Sequence, residues 1–391
     1  MQDLSTKTTV GVVGAGTMGA GIAQLAATSG HKTLVFDTNH KSLDALKPKL
    51  EKIFNRLIEK ERMTAEAANS ALDNISLHSS LEEFGASNFV IEAIVERLDV
   101  KQEVFTTLES VCADTAILAS NTSSLPIAAI GGKLKRPEQF LGVHFFNPAP
   151  LMPLVEIVPG VRTSSEVTDA SKRFIDSWGK TTVVAKDAPG FIVNRIARPF
   201  YGEALRIYEE GVADPATIDW AMRELGGFRM GPFQLMDFIG NDINYTVSET
   251  VFEAFYYDPR FKPSIVQRRM VEAGLLGKKS GRGYYDYAEG AAAPAPKEDQ
   301  QLGEQVFQRI LAMLINEAAD AVFLNIATKE DIETAMTKGV NYPKGLLAWA
   351  DELGLSFVLG KLEELQRFYG EDRYRPNPLL RRMAENGESF F

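Results

Sequence analysis

Residues 8–37, TTVGVVGAGTMGAGIAQLAATSGHKTLVFD, run from strand to glycine turn to helix to strand. Residues 8–13 are β-branched and apolar, the composition of a strand buried on both faces. Gly14, Gly16 and Gly19 then spell G-x-G-x-x-G, and a helical pattern follows from Met18 through Ile22, Leu25 and Ala26 to Gly30. The first glycine serves a tight turn, the second a close approach by a pyrophosphate, and the third close packing of helix on strand. Thr17 and Met18, between the glycines, join them as candidate cofactor-binding residues, because free N–H groups at a helix start attract phosphate. The second strand ends in Asp37, about 20 residues on, where a carboxylate accepts from a ribose 2′-OH. No arginine follows it, and a carboxylate repels a 2′-phosphate, so NAD is expected rather than NADP. Glycines also mark ordinary turns; the strand before and the helix after are what favour a dinucleotide.

The 391 residues suggest two or three domains, with the composition of an ordinary soluble globular protein. A net charge of −10 speaks against a nucleic-acid partner. Cys112 is the sole cysteine, so an intrachain disulfide is excluded, and with four histidines in no ligand-like cluster no metal site is expected. No apolar run reaches membrane-spanning length, residues 1–9 read as neither secretory nor transit signal, and Ser389-Phe390-Phe391 is no peroxisomal address. A cytoplasmic setting is expected.

Beyond Asp37, residues 41–62 show a helical stripe of Leu43, Leu46, Leu50, Ile53 and Leu57 and a second of Lys49, Lys52, Arg56 and Lys60. The basic stripe is either a solvated face with i,i+4 pairs or a landing strip for an anionic ligand arm. Pro48 predicts a kink or restart there. Further strands are expected at 75–77, 89–94, 116–119, 140–146, 154–158 and 182–185, with helices at 101–112 and 165–178. Alternation of this kind means an α/β Rossmann-type, doubly wound parallel sheet.

From Asp187-Ala188-Pro189-Gly190 onward the pattern is helical. Residues 289–302, rich in Ala, Pro and charge, read as a linker. Sliding the chain by 114 positions then aligns Arg195 with Arg309, Glu203 with Glu317, Ile218 with Ile332, Asp237 with Asp351 and Gly240 with Gly354. A duplicated helical domain follows. The expected division is 1–188 for the nucleotide domain, 189–288 and 303–391 for two all-helical repeat domains. The segment GKKSGRGYY is expected in the first copy alone.

Three polar stretches carry candidate chemistry. Ser120-Asn121-Thr122-Ser123-Ser124 follows a strand, where ligands bind in such sheets, although a helix cap would use the same residues. His144 lies near a strand end, and Glu156 sits in the next strand, LVEIV. A lone histidine is most often a satisfied core residue. An acid in an adjacent apolar strand needs a partner, however, and a carboxylate-held imidazole is a general-base arrangement. Asn194, in PGFIVNR, stands at the expected domain junction, as a binding group or a simple packing residue.

Together the strings GAGTMGAGIAQ, SNTSSL, HFFNPAPLMPLVEIV, PGFIVNR, GPFQLMDFIG and GKKSGRGYY resemble the L-3-hydroxyacyl-CoA dehydrogenase family, from about Thr8 to Tyr287. Residues 303–391 resemble the doubled C-terminal domain of some members. The resemblance implies NAD-dependent oxidation of 3-hydroxyacyl-CoA in fatty-acid or related degradation. His144 matches the family's base, Glu156 the residue that orients it, and Ser123 and Asn194 its contacts to the reacting oxygen. Glu96, Lys101, Asn121, Asn147 and Lys279 match NAD-contacting positions. Lys49, Arg56 and Lys60 are candidates for coenzyme A, with Pro48 a departure from the usual helix.

A dehydrogenase of free β-hydroxy acids and a non-catalytic NADH-binding relative share the nucleotide fold. The first often uses a lysine base and needs no basic strip. The second has no reason to keep His144, Glu156, Ser123 and Asn194 together. The duplicated domain implies either a monomer with an internal pseudo-dimer or a homodimer.

Overall fold

Eight short strands, built from the β-branched and apolar runs, make one sheet in the computed structural model, which describes Leu4, Ser5 and residues 7–391. They are β1 (Val10–Val13), β2 (Thr33–Phe36), β3 (Ile75–His78), β4 (Phe89–Glu92), β5 (Ile117–Ser120), β6 (Phe140–Phe145), β7 (Leu154–Pro159) and β8 (Thr181–Val184). Their order is β3-β2-β1-β4-β5-β6-β7-β8. Every neighbouring pair is parallel except β6 and β7, which pair antiparallel. The sheet is therefore Rossmann-like and parallel-dominant, not parallel throughout. The turn at 146–153 is too short for the crossover that a parallel pair requires.

Helices cover this sheet: α1 (Thr17–Thr28), α2 (His40–Asp44), α3 (Leu46–Glu59), α4 (Ala65–Asp73), α5 (Leu98–Val111), α6 (Ile127–Ile130) and α7 (Ser165–Asp176). Val10, Val12, Ile91, Ala119, Val143 and Ile157 are wholly buried in the core between them. The helical stretch at 41–62 does restart. Pro48 falls in the first turn of α3, where its missing N–H is not needed. Leu46, Leu50 and Phe54 face the core, Phe54 displacing Ile53 and Leu57 to half-buried flanks.

The chain divides into two compact units, Met1–Ala188 and Pro189–Phe391. The second is helical: α8 (Val193–Ile196), α9 (Arg198–Glu209), α10 (Pro215–Trp220), α11 (Pro232–Ile239), α12 (Asn241–Ala254), α13 (Ile265–Glu272), α14 (Gln300–Phe323), α15 (Lys329–Gly339), α16 (Leu346–Leu353), α17 (Leu355–Tyr369) and α18 (Pro378–Asn386). Asp299 caps α14, which begins inside the stretch read as linker. No helix among the described residues is long and apolar enough to cross a membrane.

Residues 114 positions apart do the same work in this unit. Asp219 accepts from the N–H groups of Phe233 and Gln234 at the start of α11 (2.8 and 2.9 Å). Glu333 does so for Leu347 and Ala348 at the start of α16 (2.9 and 3.2 Å). Burial raises the pKa of both acids, that of Asp219 to about 7. Asp237 accepts from the N–H groups of Tyr284 and Tyr285 (3.0 and 2.9 Å), and Asp351 from those of Phe390 and Phe391 (2.8 and 2.9 Å). Phe390 and Phe391 thus stand at Asp351 as Tyr284 and Tyr285 stand at Asp237, while the segment GKKSGRGYY itself occurs in the first stretch alone.

Charge pairs join the two stretches reciprocally. Arg309 Nε binds Glu203 at 3.0 Å, and its repeat mate Arg195 lies 4.0 Å from Glu317, the mate of Glu203. Arg260 reaches Glu317 at 3.2 Å, while Arg373 reaches Glu203 at 3.4 Å. Even the stacking repeats, with Arg195 over Phe255 and Arg309 over Tyr369, each 4.9 Å from the ring centre. Residue i meets j and the mate of j meets the mate of i, the contact pattern of a two-fold interface.

Candidate active site

The glycine turn ends β1 and starts α1. Gly14 has φ +110°, and a Cβ there would meet the Ala93 carbonyl oxygen at 2.5 Å. At Gly19 a Cβ would stand 1.9 Å from the Gly14 oxygen, so only glycine lets helix and strand come this close. At Gly16 a Cβ would meet nothing within 4 Å. That open face lies at the N-cap of α1, whose first turn carries no acid and whose cap makes no side-chain hydrogen bond. An unfilled surface of this kind beside a positive helix end fits a pyrophosphate. Thr17 is exposed and Met18 half-buried beside it. Asp37 Oδ2 accepts from Ala15 N–H and Oδ1 from Asn39 N–H, both at 2.7 Å, so the acid also braces the turn.

Register sets the histidine. In the antiparallel pair His144 lies opposite Glu156, and His144 Nδ1 is 2.7 Å from Glu156 Oε2. The imidazole is 6 % exposed and the carboxylate 0 %. Two strands that differ by one residue in register would put these side chains on opposite faces.

The serine-rich loop hangs on acids. Glu96 Oε1 accepts from Thr122 Oγ1 (2.5 Å), Ser123 N–H (3.1 Å), Ser124 N–H (3.2 Å) and Ser124 Oγ (3.0 Å). Burial opposes the charge of Glu96, yet the Lys101 ammonium and these hydroxyls hold its pKa below the usual carboxylate value. Lys101, 1 % exposed, lies 3.2 Å from Glu96 and 2.5 Å from Glu92. Glu92, fully buried at the end of β4, also accepts from Ser120 Oγ (2.6 Å) and Ile94 N–H (2.7 Å). The Asn121 side-chain oxygen accepts from Phe145 N–H (2.9 Å), which ties this loop to the residue after His144. Glu92 escaped the sequence reading, although an acid in the apolar run FVIE is the signal that found Glu156.

Two further residues were missed. Lys180 Nζ donates to the carbonyls of Ala149 (2.6 Å) and Met152 (2.8 Å), in the turn that also carries the exposed Asn147. Burial pushes its pKa down to about 8. Asp187 accepts from the N–H groups of Ile127 (2.9 Å) and Ala128 (2.7 Å), capping α6 directly after the serine-rich loop. No pattern in the chain singles either out.

Lys49, Lys52, Arg56 and Lys60 lie exposed along α3. None of the seven Lys and Arg at 41–62 forms an ion pair among the described residues, despite four acids in the same stretch. The solvated face with i,i+4 pairs is therefore not what the helix shows. Asn194 and Lys279 belong to the helical unit. Lys279 is paired with Asp242 at 2.6 Å, and the Asn194 carbonyl accepts from Arg198 Nε at 2.9 Å.

Against known proteins, the profile for the 3-hydroxyacyl-CoA dehydrogenase NAD binding domain matches residues 9–188. That for the 3-hydroxyacyl-CoA dehydrogenase C-terminal domain matches 190–287 and again 306–389. The chain is 39 % identical to 3-hydroxyadipyl-CoA dehydrogenase of Escherichia coli K12, over 96 % of this chain and 97 % of that one. It is also 39 % identical to the mitochondrial hydroxyacyl-coenzyme A dehydrogenase of Sus scrofa, over 71 % of this chain and 90 % of that one. Its structure resembles a crystal structure of 3-hydroxybutyryl-CoA dehydrogenase from E. coli K12, with TM-score 0.93 and 37 % identity over 97 % of this chain and 98 % of that chain.

Gly16→Ala and Gly19→Ala separate the two glycine roles. The Gly16 variant should keep its stability within about 0.5 kcal/mol while NADH binding weakens by tenfold or more, about 1.4 kcal/mol. The Gly19 variant should lose thermal stability first. Fluorescence titration with NADH and melting curves check both.

Proposed function

The chain belongs to the 3-hydroxyacyl-CoA dehydrogenase family, NAD-dependent oxidoreductases of 3-hydroxyacyl-CoA, and from that premise we propose that His144 is its general base. The buried 2.7 Å contact between His144 Nδ1 and Glu156 carries the assignment. A carboxylate at Nδ1 makes that nitrogen the donor, and Nε2 then takes the proton of the C3 hydroxyl. Once protonated, the ring is a cation beside an anion, and the buried Glu156 stabilises it. NAD, when bound, supplies the hydride acceptor. Gly14, Gly16, Thr17, Met18, Gly19 and Asp37 hold its phosphates and ribose, with Asn121, Asn147 and Lys279 proposed beside them on the family pattern. Glu96 and Lys101 act there chiefly by fixing the serine-rich loop, and so the place of Ser123.

Ser123 and Asn194 are proposed to donate to the developing alkoxide, Asn194 on the family pattern alone. The unpaired basic face of α3, with Lys49, Arg56 and Lys60, suits the phosphates of coenzyme A. Full-length relatives are named for 3-hydroxyadipyl-CoA and 3-hydroxybutyryl-CoA, and we carry a short acyl group over to this chain. The net charge of −10 supports a setting without nucleic acid, and we place the protein in the cytoplasm.

Wild-type protein should reduce NAD with 3-hydroxyacyl-CoA esters and not with the free acids, read as NADH absorbance; turnover of free acids alone overturns the reading. His144→Gln should lose about 10²–10⁴ in kcat and still bind NADH. Near-normal turnover by that variant removes His144 from the chemistry.

We also propose that 189–288 and 303–391 are two copies of one domain and that their reciprocal ion pairs replace a contact between subunits. Light scattering should then give a monomer of about 43 kDa. A stable dimer joined through residues 189–288 refutes the internal partner.

A further inference from the structure

The two acids at the end of β4 order the serine-rich loop, and they also carry a charge that their base does not cancel. Lys101 Nζ, Ser120 Oγ and Ile94 N–H all donate to Glu92, the bonding of an ionised carboxylate. Ser120 Oγ in turn accepts from Thr122 N–H (3.2 Å), which leaves its own proton for Glu92. Glu96 is an anion too, because the same ammonium and the hydroxyl and amide donors of the loop surround it. Arg97, next along the chain, is taken by Asp99. Two carboxylates therefore face one ammonium, and one negative charge is left over.

Topology places that charge. The glycine turn follows β1 and Asp37 follows β2, so the phosphates and the adenosine ribose belong to the β1–β2 side of the crevice. Strand order reverses between β1 and β4, and a dinucleotide straddling that point lays its nicotinamide half over the ends of β4, β5 and β6. Glu92 closes β4, in register with Val13 on one side and with Ser120 on the other. His144 stands near the end of β6. Reacting ring, base and surplus charge share one side of the sheet.

The oxidised nicotinamide ring is a cation and the reduced ring is neutral, while the rest of the cofactor keeps its charge. A fixed anion beside the ring therefore tells the two apart, and Glu92, with no exposed surface, is little screened by solvent. We propose that Glu92 and Glu96 favour the oxidised cofactor over the reduced one and so limit how far the bound reaction runs. In that reaction the C3–H bond breaks and its hydride, with both electrons, goes to the ring, while the C3 hydroxyl gives its proton to His144. The positive charge thus leaves the nicotinamide and reappears on the imidazole. Glu156 draws it to the imidazole, and the β4 acids hold it at the ring. This rests on the dehydrogenase reading above.

Dissociation constants of NAD+ by calorimetry and of NADH by fluorescence, on the whole protein without acyl-CoA, test the idea. All four loop bonds of Glu96 go to Oε1, which glutamine keeps, so Glu96→Gln removes charge and leaves the loop its acceptor. That variant should raise the ratio of the NAD+ to the NADH dissociation constant by about fivefold or more, and Glu92→Gln should move it the same way. Asp37→Asn, on the adenosine side, should weaken both forms alike. A loosened loop would also weaken both alike. An unmoved ratio in Glu96→Gln, or an equal shift in Asp37→Asn, makes the β4 acids loop struts and overturns the proposal, with the dehydrogenase reading intact. Failure of the wild type to bind either nucleotide overturns both.

Discussion

A carboxylate inside a β-strand is tolerated only when something opposite it is worth the loss of water. Glu156 is such a group, with no exposed surface, and His144 across the β6–β7 pair is its partner. The pairing constrains much else. It demands the antiparallel register, which demands the short turn at 146–153, and that turn in turn is tied down by the Lys180 ammonium at two of its carbonyls. Gly21 on α1 lets the same turn come close, since a Cβ there would meet Pro150 at 3.0 Å and Ala149 at 3.2 Å. Nucleotide helix, turn and histidine strand are thus one packed assembly.

The same rule operates one strand further in. Glu92 is buried at the end of β4 and draws in Lys101, Ser120 and the backbone of Ile94. Lys101 then holds Glu96, and Glu96 collects four donors from the serine-rich loop. Charge passes outward from a buried acid to a buried base to a half-exposed acid, and each step orders backbone. The loop that carries Ser123 is held in one conformation by these bonds, although its own composition is that of a flexible connection.

In the helical unit the organising fact is reciprocity. Arg195 with Glu317 and Arg309 with Glu203 are the same pair written twice, and Arg260 with Glu317 is echoed, one residue out of that register, by Arg373 with Glu203. Breaking a buried pair strands the other charge, so each half restrains the drift of its mate. Against this background Arg198 stands out: every other buried arginine has its acid.

The sequence by itself determined whatever depends on neighbours along the chain. The glycine turn, the acid closing β2, the restart at Pro48 and the 114-residue repeat are local patterns or fixed offsets, and each was legible as such. So were His144 and Glu156, because an acid in an apolar strand announces a partner. What only the tertiary structure decided is which distant groups meet. The antiparallel β6–β7 pair, the commitment of Lys101 to Glu92 and Glu96, the docking of Phe390 and Phe391 on Asp351 and the missing acid beside Arg198 are all of this kind. Local geometry and periodicity are written in the order of residues, whereas the solvation and pairing of a charge are set by what the fold brings against it from elsewhere in the chain.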